Sequence, residues 1–521
     1  MVYKSEFPPV PVSNESLPVK LLKAIWHHGT VHPTRHALVT AGDPNKYVTF
    51  HELHKQAHSV RAFLLNRGFQ QGEVACLVLS NCVEWAVFSL GTMAAGGAVS
   101  GASALFTDYE LERQFTDVHC TVVLTDEEHL GKVQKAIKNC TGINAMICIR
   151  HSSNAHPLPP EILEWTDVVS CKPDYDIPNV DPETACVLPY SSETTGSPKG
   201  VMLSHRNVGT MIDTFIDHFN REVYDVIGPK NRCNWYTESF VVNLPFYHMI
   251  GFSILHINLF SGAKTVVMDK FDPHMYLSAI AQYRPRILIA VPPIVLFLAK
   301  HPMVKQFDCS SIELVMVGAA PTGKDLCAEF LSQHKNVKYL CQGYGMTELT
   351  LASNLPVLNV KDPHLGVGKT IVEVSTGREL GIGEAGEIWV KSPTAMKGYL
   401  NRPEETAETI DNESWLHTGD IGYMDAEGSL HIVDRLKELI KVKGLQVAPA
   451  ELEDLLLSHP LIQDAAVIGV PDKRMGELVR AYLVTANESL NEKDVIDFVA
   501  QKMSKHKQLT GGVKFVNEIP K

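Results

Sequence analysis

Tyr190-Ser191-Ser192-Glu193-Thr194-Thr195-Gly196-Ser197-Pro198-Lys199-Gly200 lies between two apolar runs, Ala185 to Leu188 and Val201 to Leu203. That position puts a loop rich in hydroxyls at the end of a strand, with two glycines and one lysine in it. Backbone N–H groups and hydroxyls there can donate hydrogen bonds to an oligophosphate, and the lysine adds a mobile positive charge. On composition alone, a Ser/Thr-rich surface turn fits equally well. The loop lacks the Gly-x4-Gly-Lys-Ser/Thr spacing of a Walker A motif. The nearest approach to that spacing, Gly366-Val367-Gly368-Lys369-Thr370, has Pro363 at its first required glycine. Gly343-Tyr344-Gly345 likewise begins a dinucleotide fingerprint but meets Glu348 where the third glycine belongs.

Around this loop the chain alternates amphipathic and β-branched segments. His51 to Phe69 sets Leu53, Ala57, Val60 and Leu64 on one helical face and stops near Gly68. Val74 to Leu79 follows as a buried strand. The rhythm recurs at Thr121–Leu124, Phe240–Leu244, Thr265–Met268, Arg286–Val291 and Glu313–Val317. This pattern predicts an α/β chain with mainly parallel sheets. Beyond Gly381 short strands between glycine-rich turns predict a β-rich subdomain. Asp434-Arg435-Leu436-Lys437-Glu438 then forms a charged junction before a compact tail. The tail is expected to hold a helix over Pro449–Ser458, a strand over Ala465–Val470 and a second helix near Asp494–Met503.

Bulk composition narrows the function classes. At 521 residues the chain calls for roughly two to four domains. A formal charge of −12 and a pI near 6.0 argue against a broad nucleic-acid surface. Eleven cysteines occur singly, without a Cys-x-x-Cys pair, as expected of reduced thiols rather than a zinc site. Met1 to Val10 carries no signal pattern. The most apolar run, Ile287 to Ala299, is broken by Pro292 and Pro293 and is too short to span a bilayer.

Four further segments suit a nucleotide. Gly318-Ala319-Ala320-Pro321 ends a strand with small residues, so a flat base can approach the backbone. Gln342-Gly343-Tyr344-Gly345-Met346-Thr347-Glu348 supplies an aromatic plane, a hydroxyl and a carboxylate. Trp415-Leu416-His417-Thr418-Gly419-Asp420 sets a carboxylate after a glycine turn, suited to two ribose hydroxyls. Arg435, Lys437, Lys441 and Lys443 gather positive charge at the junction. Taken singly, each also fits a core turn, a cap, a solvated carboxylate or a basic surface.

Taken in order, these stretches resemble the adenylate-forming family that contains acyl-CoA synthetases, 4-coumarate–CoA ligases and beetle luciferases, from about Ala37 to Lys521. Pro245 to Gly251 resembles the family's Pro-x-x-His segment. The resemblance implies an adenylation domain over residues 1–433, with mixed, mainly parallel sheets and a β-rich subdomain. It also implies a small mobile α+β domain over 434–521. The implied reaction is ATP- and magnesium-dependent activation of a small carboxylic acid as acyl-adenylate, followed by transfer to coenzyme A. A fatty acid or an arylpropenoic acid would suit the apolar residues Phe246, Phe252, Val317 and Leu349, beside Gly318 and Gly343. A silent relative that binds ATP or acyl ligand, and a luciferase-type oxygenase, remain as alternatives.

Residue by residue, the resemblance implies that Thr194, Thr195 and Lys199 enclose the β- and γ-phosphates, with Ser191, Ser192 and Gly196 also binding the nucleotide. Thr347 would contact the α-phosphate, and Glu348, with Thr194, would hold magnesium. Tyr344 and Ala320 would sandwich adenine beside Gln342 and Gly343, while Asp420 and Arg435 would bind ribose. His248 would flank the reacting carboxylate. Asp434 would be the hinge, and a rotated small domain would bring Lys441, Lys443 and Gly444 to the coenzyme A channel, Lys441 among the catalytic groups. Two departures stand out. Glu193 replaces a glycine usual in the family, setting a carboxylate near triphosphate. The Gly-Lys that follows Pro520-Lys521 in relatives is absent from the sequence, so weak adenylation with retained thioester formation is expected. As written, the chain is expected to be cytoplasmic, with a peroxisomal address conceivable only past Lys521. Oligomeric state stays open.

Overall fold

The computed structural model describes residues 2–5, 8–151, 157–178, 180–191, 198–227, 234–320, 322, 324–356, 358, 368–372, 378–426, 428–435, 440–443, 445–447, 449–485 and 490–519. Helix Phe50–Asn66 shows how local sequence sets an element. Thr49 Oγ1 accepts from the Glu52 N–H at 3.1 Å while Glu52 Oε2 accepts from the Thr49 N–H at 2.9 Å. This capping box fixes the start of the helix. Its apolar face then buries Leu53, Ala57, Val60 and Leu64.

Three sheets carry the bulk of the α/β body. The largest, of nine strands, runs in the order Tyr190–Ser191, Lys199–Ser204, Ala185–Val187, Ala98–Ala102, Val74–Val78, Cys120–Asp126, Ala145–Ile149, Ile162–Glu164. Gly398–Tyr399 adds to Lys199–Ser204. From Ala185–Val187 outward through Ile162–Glu164 every pairing is parallel. A second sheet joins Ser239–Val242, Lys264–Val267 and His36–Thr40 in parallel, with Asp43–Thr49 antiparallel at its edge. A third places Ile287–Ala290, Leu314–Val317 and Tyr339–Gln342 side by side in parallel. Parallel strands need buried faces, and Val315, Leu314 and Ile287 are buried accordingly.

The β-rich subdomain is an antiparallel sheet: Val2–Tyr3, Gly368–Val372, Gly386–Lys391, Leu416–Met424 and Leu430–Arg435. It reaches beyond the expected stretch, because the chain's first strand closes one edge. Strand Leu430–Arg435 carries Asp434 in register with Ile421, so the main chain at that position is part of this sheet.

Past residue 440 the chain builds its own core, from Leu452, Leu455, Leu456, Val467, Val479 and Val499. Helices Pro449–Leu457 and Glu492–Lys502 pack with a sheet whose centre is a long hairpin, Ile462–Asp472 against Gly476–Thr485. Only the first strand of that hairpin was expected from the sequence, and it is longer than the apolar run suggested. Small and large units meet at helix Asp108–Asp117. Lys507 Nζ there contacts Glu110 Oε1 at 2.9 Å and Glu451 Oε2 at 3.0 Å, all three side chains buried. Among the described residues no helix is long and apolar enough to cross a membrane.

Candidate active site

The carboxyl ends of Leu314–Val317 and Tyr339–Gln342 open onto a cavity of about 450 Å³, bounded also by the antiparallel sheet. A crevice at the carboxyl ends of parallel strands is the usual ligand position in α/β folds. Ser191 and Lys199 stand paired across two strands at its margin. Lys199 Nζ lies 4.8 Å from the ring centre of Tyr399.

After Gln342 the chain folds back on itself. The Tyr344 N–H donates to Asn354 O at 3.1 Å and the Asn354 N–H to Tyr344 O at 2.9 Å. This clamp presents Gly343, Tyr344, Thr347 and Glu348 to the cavity. It closes tightly at Gly345, where a Cβ would meet Leu351 O at 2.0 Å. Gly345→Ala should therefore cost roughly 1–3 kcal/mol through forced backbone movement, measurable as a lowered urea midpoint; unchanged stability would contradict the close approach.

The carboxylates sit on fixed supports. Glu348 is buried and accepts from the Tyr399 hydroxyl at 3.2 Å, while its main-chain oxygen accepts from the Met396 N–H at 2.8 Å. Asp420 is buried and accepts from the Tyr344 hydroxyl at 2.7 Å, so the aromatic plane and the carboxylate form one unit. Thr418 Oγ1 accepts from the Asp420 N–H at 3.1 Å, and Glu387 accepts from the Gly419 N–H at 3.0 Å, which shapes the turn carrying Asp420. His248 caps helix Met249–Ser261 and faces the cavity. The protein around its ring lowers the imidazolium pKa, favouring the neutral ring.

Not every expected residue stands where the sequence placed it. The Gln342 carboxamide is turned away: its Oε1 accepts from the Thr322 N–H at 2.9 Å and its Nε2 donates to Thr322 O at 3.2 Å. It braces the strand-end turn instead of lining the site. Ala319, held at φ +70°, lines the cavity in place of Ala320. A left-handed non-glycine residue costs about 1 kcal/mol or more and persists only where its surroundings enforce it. Lys441 and Lys443 are exposed on the small unit and outside the cavity wall. Phe246, Phe252 and Leu349 pack in the core and are not part of the cavity lining. Val317 does line the cavity. Ser192, Glu193, Thr194, Thr195, Gly196, Lys437 and Gly444 lie outside the described residues, as do the side chains of Asp434 and Arg435.

Several lining residues escaped the sequence reading. Phe215, Phe219, Trp235 and Phe240 line an apolar arm of the cavity together with Ile250, Ile254 and Ile257 of the helix that His248 caps. Tyr399 and Glu387 join the polar end. No local motif marks them, because their placement depends on how separate sheets meet.

The family model of the AMP-binding enzymes matches residues 25–400, and that of the AMP-binding enzyme C-terminal domain matches 451–521. A 4-coumarate–CoA ligase from Nicotiana tabacum is 37% identical over 537 aligned positions, covering 100% of this chain and 94% of that protein. Among solved structures, an amide bond synthetase from Marinactinospora thermotolerans shares the fold with a TM-score of 0.78 at 24% identity, covering 97% of this chain and 96% of the other. An ATP-bound protein from Rhodopseudomonas palustris gives a TM-score of 0.68 at 26% identity, covering 98% and 96%.

Proposed function

We propose that this chain, which belongs to the family of AMP-binding enzymes, activates a fatty acid or arylpropenoic acid in the cavity beside His248. At the coarser level it is an AMP-forming acid–thiol ligase whose substrates are a small carboxylic acid, ATP and coenzyme A. One observation carries the finer reading. Ser191, Lys199, Tyr344, Thr347, Glu348 and Asp420 share a single cavity with an apolar arm that starts at His248.

A carboxylate is a poor electrophile, because its charge repels nucleophiles and oxide is a bad leaving group. Attack of the acid's oxygen on the α-phosphorus of ATP forms the acyl-adenylate and breaks the bond to pyrophosphate. The coenzyme A sulfur then attacks the acyl carbon, and AMP departs. Asp420, held by Tyr344, is assigned to the ribose hydroxyls, with Arg435 as its partner from the facing strand. The Tyr344 ring and the Gly318–Ala319 backbone provide a slot for adenine. Lys199 and Thr347 are assigned to charge developing on the phosphates. A buried carboxylate such as Glu348 is the donor type magnesium favours, and the ion would neutralise charge between phosphates. Holding acid and α-phosphate in line supplies much of the remaining acceleration. Residues 434–521 are assigned as the moving domain, with Asp434 as hinge and Lys441 and Lys443 as groups that approach the site when it turns.

Incubation with ATP, magnesium, coenzyme A and a panel of acids should give AMP and thioester in equal amounts. In a second arm, pre-formed acyl-adenylate with coenzyme A isolates the transfer step. Thioester in neither arm from folded protein would refute the assignment.

A further inference from the structure

Helix Met249–Ser261 forms one wall of the apolar arm, contributing Ile250, Ile254, Ile257 and Asn258. These recur at the spacing of a single helical face, so they follow one another along the helix from His248. At a rise of about 1.5 Å per residue, Asn258 lies roughly 15 Å along the axis from His248. An extended carbon chain advances about 1.3 Å per atom, given C–C bonds near 1.5 Å, so the arm spans about ten to twelve carbons. A hydroxycinnamic skeleton would reach only about half as far by the same count.

The far end is not purely apolar. Asn258 is 1% exposed, in a wall that otherwise includes Trp235 and Phe219. Its Nδ2 donates to Thr265 Oγ1 at 3.1 Å, and its carboxamide oxygen has no hydrogen-bond partner among the described residues. Asn258 lines the cavity, so its amide oxygen offers an acceptor to a ligand donor. If the amide were turned over, its NH2 would face the arm and need an acceptor. A hydroxyl satisfies both orientations, because it donates and accepts.

We infer that Asn258 is a specificity-determining residue. It selects a straight-chain acid of about ten to twelve carbons bearing a hydroxyl at the end remote from the carboxylate. This inference rests on the acyl-adenylate reading of the same cavity. It goes further by choosing the aliphatic class and naming the group that reads its far end.

Non-hydrolysable acyl-sulfamoyl adenosines test it without requiring turnover. Calorimetry would compare the 12-hydroxydodecanoyl, dodecanoyl, hexanoyl and 4-coumaroyl compounds on the full chain. The 12-hydroxydodecanoyl analogue should bind tightest, roughly fivefold or more above dodecanoyl for one buried hydrogen bond. Asn258→Leu should erase that difference. Because Asn258 also supports Thr265, Ile254→Trp serves as a second variant: it should block both twelve-carbon analogues and spare hexanoyl. Tighter binding of 4-coumaroyl than of dodecanoyl, or a hydroxyl preference that survives Asn258→Leu, would overturn the inference. Binding of every analogue with no preference would sink this inference alone. Binding of none would remove the acyl-adenylate reading, and this inference with it.

Discussion

Glu348→Gln should slow ATP–pyrophosphate exchange by about 10²–10³-fold, the usual loss when one preorganised electrostatic contact to a transition state is removed. The substitution keeps shape and volume. Its amide oxygen can still accept from the Tyr399 hydroxyl, now 3.2 Å away, and its main-chain oxygen keeps the Met396 N–H. What disappears is the negative charge. If Glu348 holds a cation against the phosphates, adenylation loses that cation's alignment. Transfer from supplied acyl-adenylate to coenzyme A, with no triphosphate present, should stay within about threefold, a difference below 1 kcal/mol. The two rates thus separate a charge role from a packing role. Equal losses in both steps would point to damaged packing, and an unchanged exchange rate would remove Glu348 from the chemistry. Tyr399→Phe leaves the charge in place and takes away only its hydroxyl partner. Its effect should be near tenfold, since a hydrogen bond to a charged group contributes about 1.5–3 kcal/mol.

How far the sequence carries depends on whether a feature is local. The alternation of β-branched runs with amphipathic helices gave the α/β class because each segment's period is readable alone. The capping box at Thr49–Glu52 is equally local. Tyr344, Thr347 and Glu348 could be nominated together because one short clamp presents all three. Other residues fail for a physical reason. Gln342 and Ala320 are adjacent to the right backbone, but a strand alternates its side chains between faces, and only the folded turn decides which residue meets the cavity. Phe246 and Phe252 are aromatic, apolar and close in sequence to His248. They pack with Trp85 at 5.5 and 6.0 Å between ring centres, so they serve the core. The aromatic wall that does face the arm comes from Phe215, Phe219, Trp235 and Phe240, on elements whose meeting is a tertiary event. Hydrophobicity alone does not distinguish a core face from a ligand face.

Lys507→Met should loosen the small unit from helix Asp108–Asp117, with a cost of about 3–5 kcal/mol, as for other buried ion pairs deprived of one partner. Lys507 contributes the only positive charge within this triad, and Glu110 and Glu451 would be left facing each other in a buried space. Methionine preserves most of the side-chain length, so the packing against Phe106, 4.8 Å from the ammonium, changes little. Burial lowers the Lys507 pKa, but attraction by Glu451 and Glu110 outweighs that effect and holds it above the ordinary value. A cation raised in the folded state contributes its full stabilisation below the unfolded pKa, about 10.4. That contribution is lost only as pH climbs through the folded value. Docking should therefore be flat from pH 6 to 9 and weaken in stronger alkali. Amide hydrogen exchange gives the local readout: faster exchange in helices 108–117 and 492–502 for Lys507→Met, with the strands of the large parallel sheet unchanged. Adding Glu110→Gln and Glu451→Gln removes the stranded charges and should recover most of the protection, because an uncharged triad no longer bears the desolvation cost. Recovery in the triple variant would assign the loss to uncompensated charge. A single variant as protected as the parent would show that the surrounding contacts, Ser504 N–H to Glu110 among them, dock the small unit without the ion triad.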